Sequence, residues 1–271
     1  VAAVLLAAAL LAAAVLSGPA QAAEPPAVIW KGSSAGFEIE WSARDLRVLA
    51  AGNPKPVLQF LELWKQGDTG NCEGGIQLTL LSVVGPMMSY RESSGADCEG
   101  AAHPSSFVGF VTVDLRGGGG KRVSLDSIFP EAALLQGLLE DQLIQTLLGK
   151  ARGGAASLKA LTGRLLSLEG DAACQYGFGK DWLSNFAFHH VKGDQVAVRI
   201  GISHGCEVAR GAFTQIGMYL PIPAALKADL TAAAARKQGF LMQDSAKIAA
   251  KRSTTFAYER KPAAPGADKG R

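Results

Sequence analysis

IQLTLLSVVGPMMSYR, residues 76 to 91, is the stretch on which the fold turns. It is rich in residues that suit a pleated, half-buried surface, and Gly85-Pro86 interrupts it near the middle. It predicts one long strand, bent or bulged at that pair. Some forty residues on, EAALLQGLLEDQLIQTLLGK (131 to 150) changes the period. Leu134, Leu135, Leu138, Leu139, Leu143, Ile144, Leu147 and Leu148 fall on one helical stripe, with Pro130 at its start. A β-type region followed by a helical one, without regular alternation, argues α+β and against a doubly wound parallel sheet.

The flanks extend the pattern. AVIWKGSSAGFEIEW (27 to 41) predicts two short strands about a Gly/Ser turn, with Phe37, Ile39 and Trp41 alternating with Glu38 and Glu40. PVLQFLELWKQ (56 to 66) fits a helix face and a strand about equally. Residues 107 to 115, the GGGG run and KRVSL give strand, turn and strand. Residues 155 to 168 suggest a second helix, and FAFHHVKGDQVAVRI (186 to 200) a hairpin turning at Lys192-Gly193-Asp194-Gln195. Residues 215 to 221 supply a further strand, and AALKADLTAAAARK (224 to 237) has high helix propensity. The expected architecture is an antiparallel or mixed sheet packed by a few helices.

The chain has 271 residues, is 48% hydrophobic and carries a net charge of +3. Disorder and collagen-like repeats are thereby excluded. Residues 1 to 22 have no charge; the apolar run of 1 to 16 falls short of the roughly 18 to 20 residues of a membrane-spanning helix. The run ends in Ser17-Gly18-Pro19, and Ala20-Gln21-Ala22 has the small-x-small form cut by signal peptidase. The expectation is a leader cleaved before Ala23, an exported product in a periplasm or beyond, and no transmembrane anchor in the mature chain. Residues 23 to 246 form the expected body. Residues 247 to 271 carry seven Lys or Arg against Glu259 and Asp268, and are expected to be a basic, disordered tail. The body is then slightly acidic, which speaks against nucleic acid as a partner.

Four cysteines in an exported chain point to two disulfides. Three connectivities are possible. Cys72 with Cys98 and Cys174 with Cys206 is favoured, because each pair closes a local loop beside β-type segments; loop-closure entropy gives each about 3.5 kcal/mol. The alternative is a metal site at His204-Gly205-Cys206 with His189, His190 or His103. No Cys-x-x-Cys or His-Glu-x-x-His accompanies those residues, so neither metal nor cofactor is expected.

Gly32-Ser33-Ser34-Ala35-Gly36 matches the Gly-x-Ser-x-Gly string of serine hydrolases, which needs a strand-to-helix turn. Here an alternating strand follows, so Ser34 is taken as a turn residue. Glu38/Glu40 and Glu140/Asp141 are carboxylate pairs of the kind glycosidases use, yet they fit a solvated strand face and an exposed helix edge.

The order Ser89-Tyr90-Arg91-Glu92, Gly100-Ala101-Ala102-His103-Pro104, then VTVDLRGGGGKRVSLDSIF resembles the RsiV-like family of extracytoplasmic bacterial domains. Asp114-Leu115, Lys121 and residues 125 to 129 (LDSIF) stand where that family has a strand ending in Asp-Leu, a Gly-Lys turn and a helix entry. NFAFHHVKGDQVAVRI and IGMYLPIPAAL fit its closing pattern, so the resemblance spans about residues 76 to 230. Such domains occur on anti-sigma factors that sense lysozyme and beside polysaccharide deacetylase domains. The resemblance implies a non-enzymatic binding or sensing module for a lysozyme-like protein or cell-wall glycan. The alternative is an envelope hydrolase acting on peptidoglycan. Candidate binding residues are His103, Tyr90, Arg91, His189 and His190. His103 is expected between the Tyr90 strand and the strand from Phe107, either bonding backbone at the turn or facing a ligand.

Overall fold

The 76 to 91 stretch is two strands, not one. In the computed structural model, which describes residues 27 to 65, 71 to 118, 120 to 149 and 155 to 258, β5 (Cys72–Val84) and β6 (Met87–Cys98) form a hairpin. Val84 pairs with Met87, so Gly85-Pro86 is the whole loop. Gly85 has φ 56° and proline holds the next φ negative, the sign pattern of a type II′ turn. The expected bulge does occur, but within β5, where the register slips between Leu80 and Ser82.

β1 (Val28–Ser34), β2 (Phe37–Ser42), β3 (Leu46–Ala50) and β4 (Pro56–Gln59) form a four-stranded sheet in sequence order. Ala35 and Gly36, both at positive φ, make the β1–β2 turn. Ser34 is therefore the buried last residue of β1 rather than part of the turn, and no helix follows it. The ambiguous 56 to 66 segment splits at Gln59, with β4 before it and helix α1 (Phe60–Lys65) after it. Asp45 fixes that corner by accepting from Leu46 N (2.9 Å), Leu61 N (2.9 Å) and Gln59 Nε2 (2.8 Å).

The hairpin continues into β7 (Ser105–Asp114) and the short β8 (Lys121–Arg122). The helical region that follows is broken. Helix α2 (Glu131–Glu140) stops at Asp141, which adopts extended backbone and caps α3 (Gln142–Leu148) by accepting from Leu143 N and Ile144 N. Its other oxygen accepts from Gly217 N at 3.0 Å. Asp141 is thus a junction between helices and sheet, not the exposed helix edge expected of it. Helix α4 (Leu158–Leu166) is capped by Ser157, and α5 (Gly170–Gln175) is short.

β9 (Phe186–Lys192), β10 (Gln195–Ser203) and β11 (Phe213–Pro221) form a three-stranded sheet ordered β11-β10-β9. Helices α6 (Lys227–Ala234) and α7 (Met242–Ala249) lead to β12 (Thr254–Tyr258). β12 pairs with β5 and completes a five-stranded sheet ordered β12-β5-β6-β7-β8. Thr254 receives the Trp41 indole N–H at 2.9 Å and donates to Ser42 O at 2.6 Å. The body therefore runs to Tyr258, correcting the expected boundary at 247: Phe256 and Thr254 are buried, and burial outweighs the local basic charge. The expected leader and the chain beyond 258 lie outside the described residues.

All the strand pairings are antiparallel. One core fills the space between the four- and five-stranded sheets, around Ile39, Trp41, Leu80, Tyr90 and Val111. Another lies between the three-stranded sheet and the helices, around Leu134, Leu161, Phe186, Val198 and Met218. A smaller cluster of Leu81, Phe110 and Ala187 joins the five-stranded sheet to the three-stranded one. The layers run sheet, sheet, sheet, helices. Cys72 and Cys98 are register partners at the open end of the β5–β6 hairpin and form a disulfide; Cys174 and Cys206 form the second. Among the described residues no helix is long and apolar enough to cross a membrane.

Candidate functional site

Strand alternation separates two of the expected site residues. Tyr90 faces the inter-sheet core, edge-on to Phe60 with ring centroids 5.0 Å apart. Burial, then the neighbouring Glu92, push its hydroxyl well above the usual phenol range. Arg91 points to the other side and stacks its guanidinium 5.2 Å from the centre of Phe213.

His103 touches neither residue. It lies on the exposed loop between β6 and β7, with Nδ1 3.4 Å from Pro104 O and 3.6 Å from Glu207. Arg210 Nη1 donates to Pro104 O at 2.7 Å. This loop is therefore docked on the turn that follows Cys206, at the end of the molecule where β5–β6 is closed by its disulfide. His103 does lie between the Tyr90 strand and the strand from Phe107, but Tyr90 itself sits well back along β6 from the loop that follows Cys98 and faces inward, so the two side chains are apart.

His189 and His190 do come together, and a bulge is the cause. Successive strand residues normally point to opposite faces, but the β9–β10 register slips between Ala197 and Val198. Both imidazoles then share the sheet face opposite the helix-packed residues Phe186, Phe188 and Val198, with Nδ1 atoms 2.7 Å apart. His190 Nε2 reaches Tyr219 Oη at 3.2 Å across Ala197, whose small side chain leaves that path open. His189 is held below the ordinary histidine range by burial first, then by His190 and Arg199.

A cleft of about 260 Å3 is lined by none of the expected residues. One wall is β7 at Phe107 and Gly109 with Arg122 of β8; the other is residues 177 to 185 and the end of β10 at Gly201 and Ser203. The Phe107 ring lies across Gly109, where a Cβ would meet it at 2.5 Å, and 41% of Phe107 is exposed. Gly177 closes the floor, donating to Ser203 O at 2.8 Å and packing so tightly on His204 that a Cβ would come within 2.4 Å of its carbonyl. The Cys174–Cys206 disulfide holds this corner, where Gly205 N and Cys206 N both donate to Cys174 O.

Two polar groups of the cleft lining lack hydrogen-bond partners: the indole Nε1 of Trp182, a residue 1% exposed, and Ser203 Oγ. His204 Nδ1, next along the chain, is also buried and unpartnered. Such groups each cost about 1 to 3 kcal/mol when left unsatisfied. Lys180, Arg122, Asp181 and Asn185 complete the polar lining. Lys180 and Trp182 also line a larger neighbouring groove of about 660 Å3, with Asp126, Glu131, Lys159 and Leu166.

No family model matches the chain, and no curated protein or solved structure is significantly similar to it.

The chemistry must then come from the geometry. All four cysteines are paired, so Cys206 is no thiolate ligand, and among the described residues no three His, Cys, Asp or Glu side chains are grouped to hold a metal ion. The cleft itself offers one carboxylate, Asp181, where glycoside hydrolysis ordinarily uses two. What it presents is an aromatic flank and two cations, on a lining that also holds two buried polar groups without partners. No pattern in the sequence marks Trp182 or Ser203. The one local signal is the glycine density of QYGFGK (175 to 180) and ISHGC (202 to 206), which lets backbone walls approach closely.

Proposed function

We propose that this chain is an exported, non-enzymatic binding domain of the bacterial envelope, with a cell-wall glycan as the ligand of the Phe107–Trp182–Ser203 cleft. The observation that carries the reading is a pair of buried polar groups without partners, Trp182 Nε1 and Ser203 Oγ, on two residues that line a cleft flanked by an exposed aromatic ring. A sugar offers what that lining lacks: acceptor oxygens for the indole N–H, hydroxyls for Ser203 and an apolar ring face for Phe107. Arg122 and Lys180 favour a sugar that carries a carboxylate. Two disulfides fit an extracytoplasmic location, and the resemblance to the RsiV-like family supports a sensing or binding role within it.

The test is calorimetric titration of the protein with soluble peptidoglycan fragments and, separately, with lysozyme. Ser203→Ala is expected to weaken fragment binding at least tenfold without loss of thermal stability, because the hydroxyl contributes no bond to the free fold. Absence of fragment binding, or binding of lysozyme alone, overturns the glycan reading.

Asp126 and Glu131 in the adjoining groove favour the hydrolase as a second reading, since they supply two carboxylates in one concavity. Glu131 already accepts from Leu158 N at 2.9 Å, a structural duty. Release of reducing ends from peptidoglycan by the wild type, abolished by Asp126→Asn, would establish the enzyme instead.

A further inference from the structure

The face of the three-stranded sheet opposite its helix-packed side carries a second constellation, remote in register from the cleft wall at Ser203; it is buried against Leu81 and Phe110 at Ala187 and opens to solvent toward Tyr219 and Lys192. Its rows are fixed by the pairing: Ala187, Arg199 and Gly217 abreast, then His190, Ala197 and Tyr219, then Lys192, Gln195 and Pro221. Small residues occupy the positions beside the large polar ones. A Cβ at 217 would lie 2.1 Å from Nη1 of Arg199, so the guanidinium occupies the space a side chain there would need. Lys192 Nζ sits 5.3 Å from the centre of the Tyr219 ring, which is 44% exposed.

This face is cationic and uncompensated. Among the described residues no carboxylate is within ion-pair distance of Arg199, Lys192 or Arg91. Asp141, which reaches the sheet at Gly217, spends its oxygens on Leu143 N, Ile144 N and Gly217 N. The short Nδ1···Nδ1 contact requires one histidine to donate and the other to accept, so at least one ring stays neutral while it persists. A negative group beside the pair would favour the extra proton and give Arg199 the bidentate acceptor that its planar fork suits.

We propose that Arg199, His189 and His190 frame a binding site for an oxyanion, the phosphate or carboxylate group of an extracellular ligand, with Tyr219 and Lys192 at its rim. Gly217 is part of the site, because any side chain there displaces the guanidinium.

The experiment is calorimetric titration at pH 6.5 with inorganic phosphate and, separately, with citrate. Wild type is expected to bind at one site, and tighter binding of either probe supports the site and names the source. Arg199→Met is expected to weaken that binding at least tenfold. Gly217→Ala keeps every charge but moves the guanidinium, and the same tenfold loss is expected; unchanged near-ultraviolet dichroism shows that both variants fold. No wild-type binding of either probe, or full binding by Gly217→Ala, overturns the proposal, the latter by showing only diffuse attraction to a basic surface.

Discussion

At the residue scale, two titrating groups have been moved by their surroundings in opposite directions. Glu92 sits beside Ile76, Leu78 and Phe60, and burial raises its carboxyl despite the opposing pull of Arg122. A carboxyl raised in the fold favours the protonated form, so it lowers stability as pH rises from the ordinary value near 4.5 through the folded one. Glu92→Gln is therefore expected to raise the urea midpoint at pH 7, with the gain vanishing below pH 4. His189 works the other way. Its depressed value makes the fold resist protonation, so its contribution to stability is present above about pH 6.5 and is lost as pH falls through the folded value. His189→Gln is expected to show a smaller drop in Tm between pH 7.5 and 5 than the wild type, and an equal drop would place the acid sensitivity elsewhere.

Elements are held at a few junctions whose loss is local. Asp141 caps α3 and fastens β11, so Asp141→Ala removes an N-cap and a cross-element bond together. Caps are worth about 0.5 to 2 kcal/mol, and the expected loss, read from denaturant unfolding, lies at the upper end of that range. β12 is the corresponding junction at the C-terminal side. Truncation after Tyr258 is expected to leave Tm nearly unchanged, whereas truncation after Arg252 removes β12, exposes the Trp41 indole N–H and uncovers Leu78. It should lower Tm by many degrees. Equal melting of the two truncations would show that the strand adds nothing.

The molecule as a whole is three sheets and a helical layer, stapled at one end by both disulfides near the candidate cleft. Cys72–Cys98 pins a hairpin already aligned by its ladder, while Cys174–Cys206 holds loops with little secondary structure of their own. Replacing either pair by serine is expected to cost about 2 to 4 kcal/mol by loop entropy. The Cys174/Cys206 pair is further expected to impair ligand binding at the cleft, and an intact cleft after that replacement would show that Gly177 and Ser203 hold their positions unaided.

Several features were legible in the sequence because they depend on neighbours along the chain. Alternation around Ile39 and Trp41, the Gly193-Asp194 turn, the leucine stripe and the short cysteine spacings together gave the α+β class and the disulfide pairing. Tertiary structure decided what local pattern cannot: Gly85-Pro86 as a turn because the two strand halves pair with each other, and a helix broken at Asp141, whose carboxylate caps α3 with one oxygen and holds Gly217 N with the other. The candidate sites belong to the same class. His189 and His190 share a face only through a register slip, Tyr90 and Arg91 part because pairing assigns them opposite sides, and Trp182 becomes notable only because no partner reaches its indole. A missing partner is a property of everything packed around a group, so no string of residues records it.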